Sequence, residues 1–401
     1  MILLDLIMIH KFLFSNFILY FIMSIINGPL NVVRLEGKIN NIKKVIYVFF
    51  DIHMDIDNQT KCDDFKAIDV VTYFAKEFKN ISSDKEIDFF MEGRTTEFEL
   101  FTKDLYFKDK YIAEVVKFFA INFKKNTFEN VRFHYIDIRD FFTDEIDRMY
   151  KINSNLLDNL TQSSYRMIDQ IISNFKAIQK YHENIIEIMK KNGNNKDNTM
   201  SKYIIKLNEK YNNKEIKEKI KLFKNIIIEE LEKQNIIIDE LIEILTEFQK
   251  KALESFDEFG RRKLVEIEDE NENENENVPT YFMDDRKYMR ELEDKYKRLS
   301  QLNLQTFSLI MDSYFMRRFC DKDYITHAIS YTGGAHSMAY VNFLCNQFDF
   351  KITHIAKSTE SIDELNKKLK DKFNYLKFSK YFFPKTLLQC VNLSDFPEKF
   401  N

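Results

Sequence analysis

Four short stretches carry the side chains that could do chemistry. In "DIHMDID" (51–57), Asp51, His53, Asp55 and Asp57 alternate, so an extended backbone projects all four to one side. "MEGR" (91–94) supplies Glu92 and Arg94, and "YIDIRD" (135–140) supplies Asp137 and Arg139. "TGGAHS" (332–337) sets Gly333 and Gly334 ahead of His336 and Ser337, in a chain with only seven glycines. Two chemistries suit such a set. Asp51, His53, Asp55, Glu92 and His336, with Asp137 as a weaker candidate, could hold a divalent metal with positions left open for water. Without metal, His53 or His336 could activate water while Glu92 orients the imidazole, making His53, Glu92 and His336 the candidate catalytic residues.

Substrate binding falls to the remaining groups. Arg94 and Arg139 could clamp an anionic group. Gly333 and Gly334 permit a tight strand-to-helix turn, and with Ser337 they would offer free backbone N–H groups at a positive helix end, suited to an oxyanion or phosphate. Bland readings stand beside these: Asp137–Arg139 and Glu92–Arg94 as local ion pairs, and Asp51 and His53 as strand-end caps. His134, His327 and His354 fall within strand-like runs and read as packed histidines. His182 falls on a helical face and reads as exposed.

Elements must place these stretches side by side. "KKVIYVFFDIH" (43–53), "EIDFFME" (86–92) and "VRFHYIDIRD" (131–140) are apolar runs that end in polar residues, as strands buried on both faces do. Between them, helical spacing runs through Val70, Val71, Phe74 and Phe78, then through Ile112, Val115, Val116 and Phe119. After residue 324 the pattern returns: strand "YITHAISYTG", helix 338–348, strand "FKITHIA". The expected fold is α/β, a mainly parallel sheet with flanking helices, interrupted by a long all-α helical insertion. Ligands of such sheets bind beyond the carboxyl ends of the strands, where all four stretches fall.

The expected organisation is an apolar extension (1–22), a first α/β half (23–144), the insertion (145–308) and a second half (309–401). Within the insertion two long apolar stripes, 157–189 and 216–248, predict antiparallel, coiled-coil-like helices, and "EDENENENEN" (268–277) predicts a disordered acidic loop. The extension reads as in-frame sequence upstream of Met23, with Asp5 where a signal peptide wants positive charge. Membrane contact would follow only if those residues are translated and inserted. A net charge of −4 and a pI near 6.1 argue against a nucleic-acid partner. The amphipathic insertion is the candidate surface for a protein partner. Cys62, Cys320, Cys345 and Cys390 form no C-x-x-C pair and are expected as free thiols in a reducing compartment.

Several stretches resemble a family of uncharacterised proteins from nucleocytoplasmic large DNA viruses of the mimivirus group: "VFFDIHMDIDNQTKCDD", "DFFMEG", "VRFHYIDIRDFF", "SYFMRRFCDKDYITHAISYTGGAHS" and "FDFKITH". That resemblance implies a location in the host cytoplasm or the virion. More remotely, the arrangement is similar to the superfamily of erythromycin esterases, Tiki/TraB-type proteins and ChaN-like haem-binding proteins. Their strand-end histidine, acid closing the next strand and later G-x-x-H would fall on His53, Glu92 and Gly333 to His336. The first motif departs from theirs, reading Asp-Ile-His. The resemblance implies a hydrolase, with or without a metal; the alternative is a non-catalytic virion-associated or host-interaction protein that keeps an enzyme-like fold.

Overall fold

The computed structural model describes residues 25–54, 56, 62–82, 84–93, 110–124, 127–138, 165–191, 207, 209, 211–266, 286–371, 373–383 and 386–401. The chain divides into two compact units. The first takes in the described residues of 1–140, 211–220 and 311–401, and the second those of 141–210 and 221–310. The acidic loop 268–277 and the extension 1–22 lie outside the described residues.

The first unit is α/β. Its main sheet contains β2 (Asn31–Ile39), β3 (Ile42–Asp51), β5 (Ile87–Met91), β6 (Val131–Tyr135), β7 (His327–Gly333) and β8 (Lys351–Ile355). The order is β6-β5-β7-β3-β2-β8. β6, β5, β7 and β3 run parallel, while β2 is antiparallel to both β3 and β8. The β2–β3 hairpin turns on Asn40 and Asn41 at φ 52° and 64°, the left-handed pair a two-residue turn requires. β7 follows the helical region in sequence yet fills the gap between β3 and β5, so the chain crosses over at the centre of the sheet.

Apolar alternation covers both faces. On one face Phe49, Phe89 and Tyr331 pack on helices α1 (Val70–Lys79) and α2 (Tyr111–Lys124) through Phe74 and Phe119, with Phe89 and Phe119 ring centroids 4.3 Å apart. On the other, Phe90 meets Phe315 edge-on, and Phe315 stacks on Tyr340 at 4.0 Å. The phenylalanine abundance of the sequence therefore builds the core itself. Phe315 lies on the long helix ending this side, and a buried lysine holds that helix to β3. Lys44 Nζ donates to the carbonyls of Phe319, Lys322 and Ile325 at 3.0, 2.8 and 2.6 Å, a cation on a helix C-terminus.

A second, three-stranded sheet has the order β4-β1-β9, from Ile68–Asp69, Ile25–Asn27 and Cys390–Asn392. Here the structure corrects the cysteine expectation. Cys62 and Cys390 form a disulfide across a Cα separation of 5.0 Å, and only Cys320 and Cys345 are free, both buried. The two half-cystines stand 328 positions apart, so spacing alone carried no sign of their pairing.

The second unit is helical: α3 (Tyr165–Lys191), most of α4 (Lys214–Glu266) and the start of α5 (Arg286–Asp321). Ile171, Phe175 and Ile178 pack with Ile238, Leu241, Leu245, Leu292 and Leu299. Gln249 donates to Asp169, Gln179 to Asp239 and Lys190 to Glu232, a pairing that makes α3 and α4 antiparallel. His182 is buried here, against the expectation of exposure; Nδ1 lies 2.9 Å from Asn235 Oδ1, and burial pushes its imidazole down to about 4. Among the described residues no helix is long and apolar enough to cross a membrane.

The disulfide yields a test. Cys390→Ser should lower the thermal midpoint, by the equivalent of about 2–4 kcal/mol. Thiol titration of the unfolded, unreduced chain should return two of the four cysteines. Four reactive thiols with an unchanged midpoint would rule the bond out.

Candidate functional site

Three parallel strands deliver the site. β3 ends in Asp51, β5 is followed by Glu92, and β7 between them ends in Gly333, which pairs with Asp51 in register. Beyond β3 the backbone of His53 turns left-handed, at φ 55°, a strained conformation for a side-chain-bearing residue. Asp51 explains how the turn is held. Its Oδ2 accepts both the His53 backbone N–H and ring Nδ1–H, each at 2.7 Å, and its Oδ1 accepts the Tyr331 hydroxyl at 3.2 Å. The ring is thereby oriented with Nε2 toward Glu92 Oε2, 3.3 Å away.

Glu92 receives a second imidazole from the other side. His336, in the first turn of α6 (Gly334–Phe348), places Nε2 3.6 Å from Glu92 Oε1. Its Nδ1 is 2.7 Å from Oδ1 of Asp312 on α5. The backbone N–H of Gly333 donates to Glu92 Oε2 at 2.7 Å. The result is an alternating chain, Asp51–His53–Glu92–His336–Asp312. Asp51, Asp312 and His336 are buried and the Glu92 side chain is 9% exposed, whereas the His53 side chain is 39% exposed and is the member that reaches solvent.

Electrostatics follow the geometry. Burial alone would pull the His53 imidazole down, but Asp51 and Glu92 outweigh it and raise it to about 10. Burial likewise opposes a charged His336, and Asp312 and Glu92 lift it to about 9. Burial would raise Glu92, yet His336, His53 and the Gly333 N–H hold it far below the usual carboxylate range. Burial lifts Asp312, and its imidazole partner His336 opposes that lift. These directions favour imidazolium on both rings and carboxylate on Glu92.

The glycines act through space rather than through turn flexibility. Gly333 has an ordinary extended backbone, φ −54° and ψ 149°. A Cβ there would stand 2.7 Å from His53 Nε2 and 3.3 Å from Glu92 Oε2. One at Gly334 would meet the Phe383 ring at 2.6 Å. The expected free oxyanion donor is corrected as well, since Glu92 occupies the Gly333 N–H. Ser337 is buried, 2.8 Å from the Thr332 hydroxyl, and its hydroxyl is shared between the Thr332 and Phe49 carbonyls, pinning α6 to the strands.

Among the described residues no three His, Cys, Asp or Glu side chains are arranged to hold a metal ion. Asp51 is spent on the Nδ1 side of His53, away from Glu92, and Glu92 gives one oxygen to each imidazole. Asp137 is buried just past β6, one strand farther out than Glu92. Asp55, Arg94 and Arg139 lie outside the described residues. Asp312 was missed, although a signal existed: it is the single acid in the apolar run "LIMDSYFM" (309–316).

A family model described as a family of unknown function (DUF5847) matches residues 24–401. The chain belongs to this family. Among its relatives, uncharacterized protein R161 of Acanthamoeba polyphaga mimivirus is 32% identical, over 94% of this chain and 98% of its own. Uncharacterized proteins R706 and R160 of the same virus are each 31% identical over 94% of this chain, covering 96% and 97% of their own lengths. No solved structure matches.

Two tests follow from the geometry. His336 titrates higher folded than its ordinary 6.5, so its stabilisation is full below about pH 6.5 and is lost as pH rises through about 9. The thermal midpoint should fall over that window, and less steeply in His336→Gln. Gly333→Ala should cost about 1–3 kcal/mol and part His53 from Glu92. The His53 ring signal would then titrate nearer 6.5, and an unmoved titration would show that no such crowding exists.

Proposed function

We propose that the chain is a hydrolase whose acid–base group is His53. The observation that carries this is the pair of Asp-anchored imidazoles on one largely covered glutamate, with His53 the member most open to solvent. Perturbed, coupled titratable groups at the carboxyl ends of parallel strands are what acid–base sites are made of. Asp51 holds the ring and Glu92 keeps it protonated. For an ester, the imidazolium passes its Nε2 proton to the leaving oxygen as the C–O bond breaks. Water adds to the acyl carbon and returns a proton to His53, so the group ends as it began. Glu92 and Asp51 orient and charge-balance the ring and bond to no substrate atom.

The family and its relatives carry no named activity, so the reaction class rests on geometry and the remote likeness to erythromycin esterases gains no support from them. A second reading has its own observation: Asp51, Glu92 and His336 are each satisfied within the network, as they would be in a structural staple of a non-catalytic virion or host-interaction protein. Ile236 and Leu304, 59% and 56% exposed on the second unit, would then be contacts for a protein partner.

The assay is hydrolysis of a panel of acyl esters by the full chain, with and without chelator. His53→Ala should reduce turnover by about 10²-fold or more while leaving the fold intact, and Glu92→Gln should shift the alkaline limb of the pH profile downward. Equal residual rates in wild type and His53→Ala would sink the hydrolase reading and favour the staple. Loss of activity on chelation would show a metal route that the described side chains do not provide.

A further inference from the structure

Asp312 belongs to no strand end. It lies on α5, 1% exposed, among the buried side chains of Leu309, Ile310, Met311, Phe315 and Met316. A lone carboxylate in such surroundings is costly unless it is bonded. A carboxylate accepts hydrogen bonds, so the 2.7 Å contact puts a proton on His336 Nδ1 and fixes the plane of the ring. That leaves Nε2 as the atom facing Glu92 Oε1, while the other glutamate oxygen takes His53 and the Gly333 N–H. The buried Tyr340 hydroxyl lies beside Asp312 and Glu92.

We infer that Asp312 is a positioning residue of the His53 site: it turns His336 Nε2 onto Glu92 and so divides that carboxylate between a buried and an exposed imidazole. Its bearing on catalysis rests on the hydrolase reading; the division of Glu92 does not. The consequence is competition. A charged His336 draws on Glu92 and opposes charge on His53, and the two rings repel each other. The groups facing His336 are Asp312 from α5, Glu92 from beyond β5, His53 from beyond β3 and Tyr340 from its own helix. Of these, Asp312 is bonded to His336 and not to His53, so its hydrogen-bonded route to the exposed ring runs through the buried one. Without its charge, burial and His53 oppose a charged His336 with Glu92 alone to offset them, and more of the pull of Glu92 falls to His53. Asp312 therefore weakens the grip of the site on the His53 proton, which an acid that must release that proton requires.

The test is NMR titration of histidine-labelled full-length chain as wild type, Asp312→Asn, His336→Gln and the double variant, with Asp312→Ser as the second substitution should Asn not fold. In D312N the His336 midpoint should drop below neutral pH, while His53 stays protonated to higher pH than in wild type. In the H336Q background D312N should leave His53 unmoved. Simple loss of structure would instead bring both rings toward their ordinary values. The inference is overturned if His53 is indifferent to D312N while His336 falls, if both relax together, or if the His53 shift persists without His336. These titrations can be read whether or not any ester is cleaved, so failure of the hydrolase reading leaves its own separate trace.

Discussion

The whole site depends on a side chain that is missing. His53 follows the strand on one side of β7 and Glu92 follows the strand on the other. The two can touch only over the end of β7, and there the residue is Gly333, whose added Cβ would stand 2.7 Å from His53 Nε2. Everything else supports that crossing. Asp51 bends the His53 backbone and aims its ring, the Gly333 N–H fixes Glu92 from below, and Thr332 with Ser337 clamps the helix that brings His336. The strain of the left-handed His53 backbone persists because Asp51 binds both the ring and the amide.

Charge balance explains why so many ionisable groups can be buried together. Three carboxylates at the centre of an apolar fold would be prohibitive alone. Interleaving two imidazoles gives each charge an opposite neighbour, and the chain ends on hydroxyls, Tyr331 at Asp51 and Tyr340 beside Asp312. Such a network is cooperative: removing one member leaves its neighbours buried and unpaired, so losses should exceed what a single contact contributes. It also makes the exposed ring the natural outlet, since a proton can leave to water only at His53.

The sequence carried the strands, their polar ends and the pairing of His53, Glu92 and His336, because an apolar run that ends in chemistry-bearing residues suits a parallel strand and little else. It misled on mechanism. The glycine pair looked like a flexible turn, whereas Gly333 serves close approach, a property of the neighbour across the strand and invisible in "TGGAHS". Asp312 belongs to a helix whose periodicity reads as core, and only the three-dimensional path of that helix brings it to His336. The Cys62–Cys390 bond was hidden for the same reason, since Cys390 reaches Cys62 only where β9 pairs with β1, beside which Cys62 lies. Ser337 looked available because a hydroxyl after a histidine looks useful; its carbonyl partners on β3 and β7 could not be read from order alone.

The interruption of the sheet ties assembly to function. His53 and Glu92 come before the helical region, while Gly333, His336 and Asp312 come after it, and β7 is the strand that fills the gap between β3 and β5. Before β7 inserts, neither β3 nor β5 has its central partner, and Glu92 has neither the Gly333 amide nor a second imidazole. The buried charges are thus unpaired in any partly built sheet, which penalises that state more heavily than loss of apolar contact alone would. Non-local pairing of this kind slows folding, because loop closure must precede its reward. The same arrangement ties the candidate site to one strand: a chain that has not brought β7 home has no site.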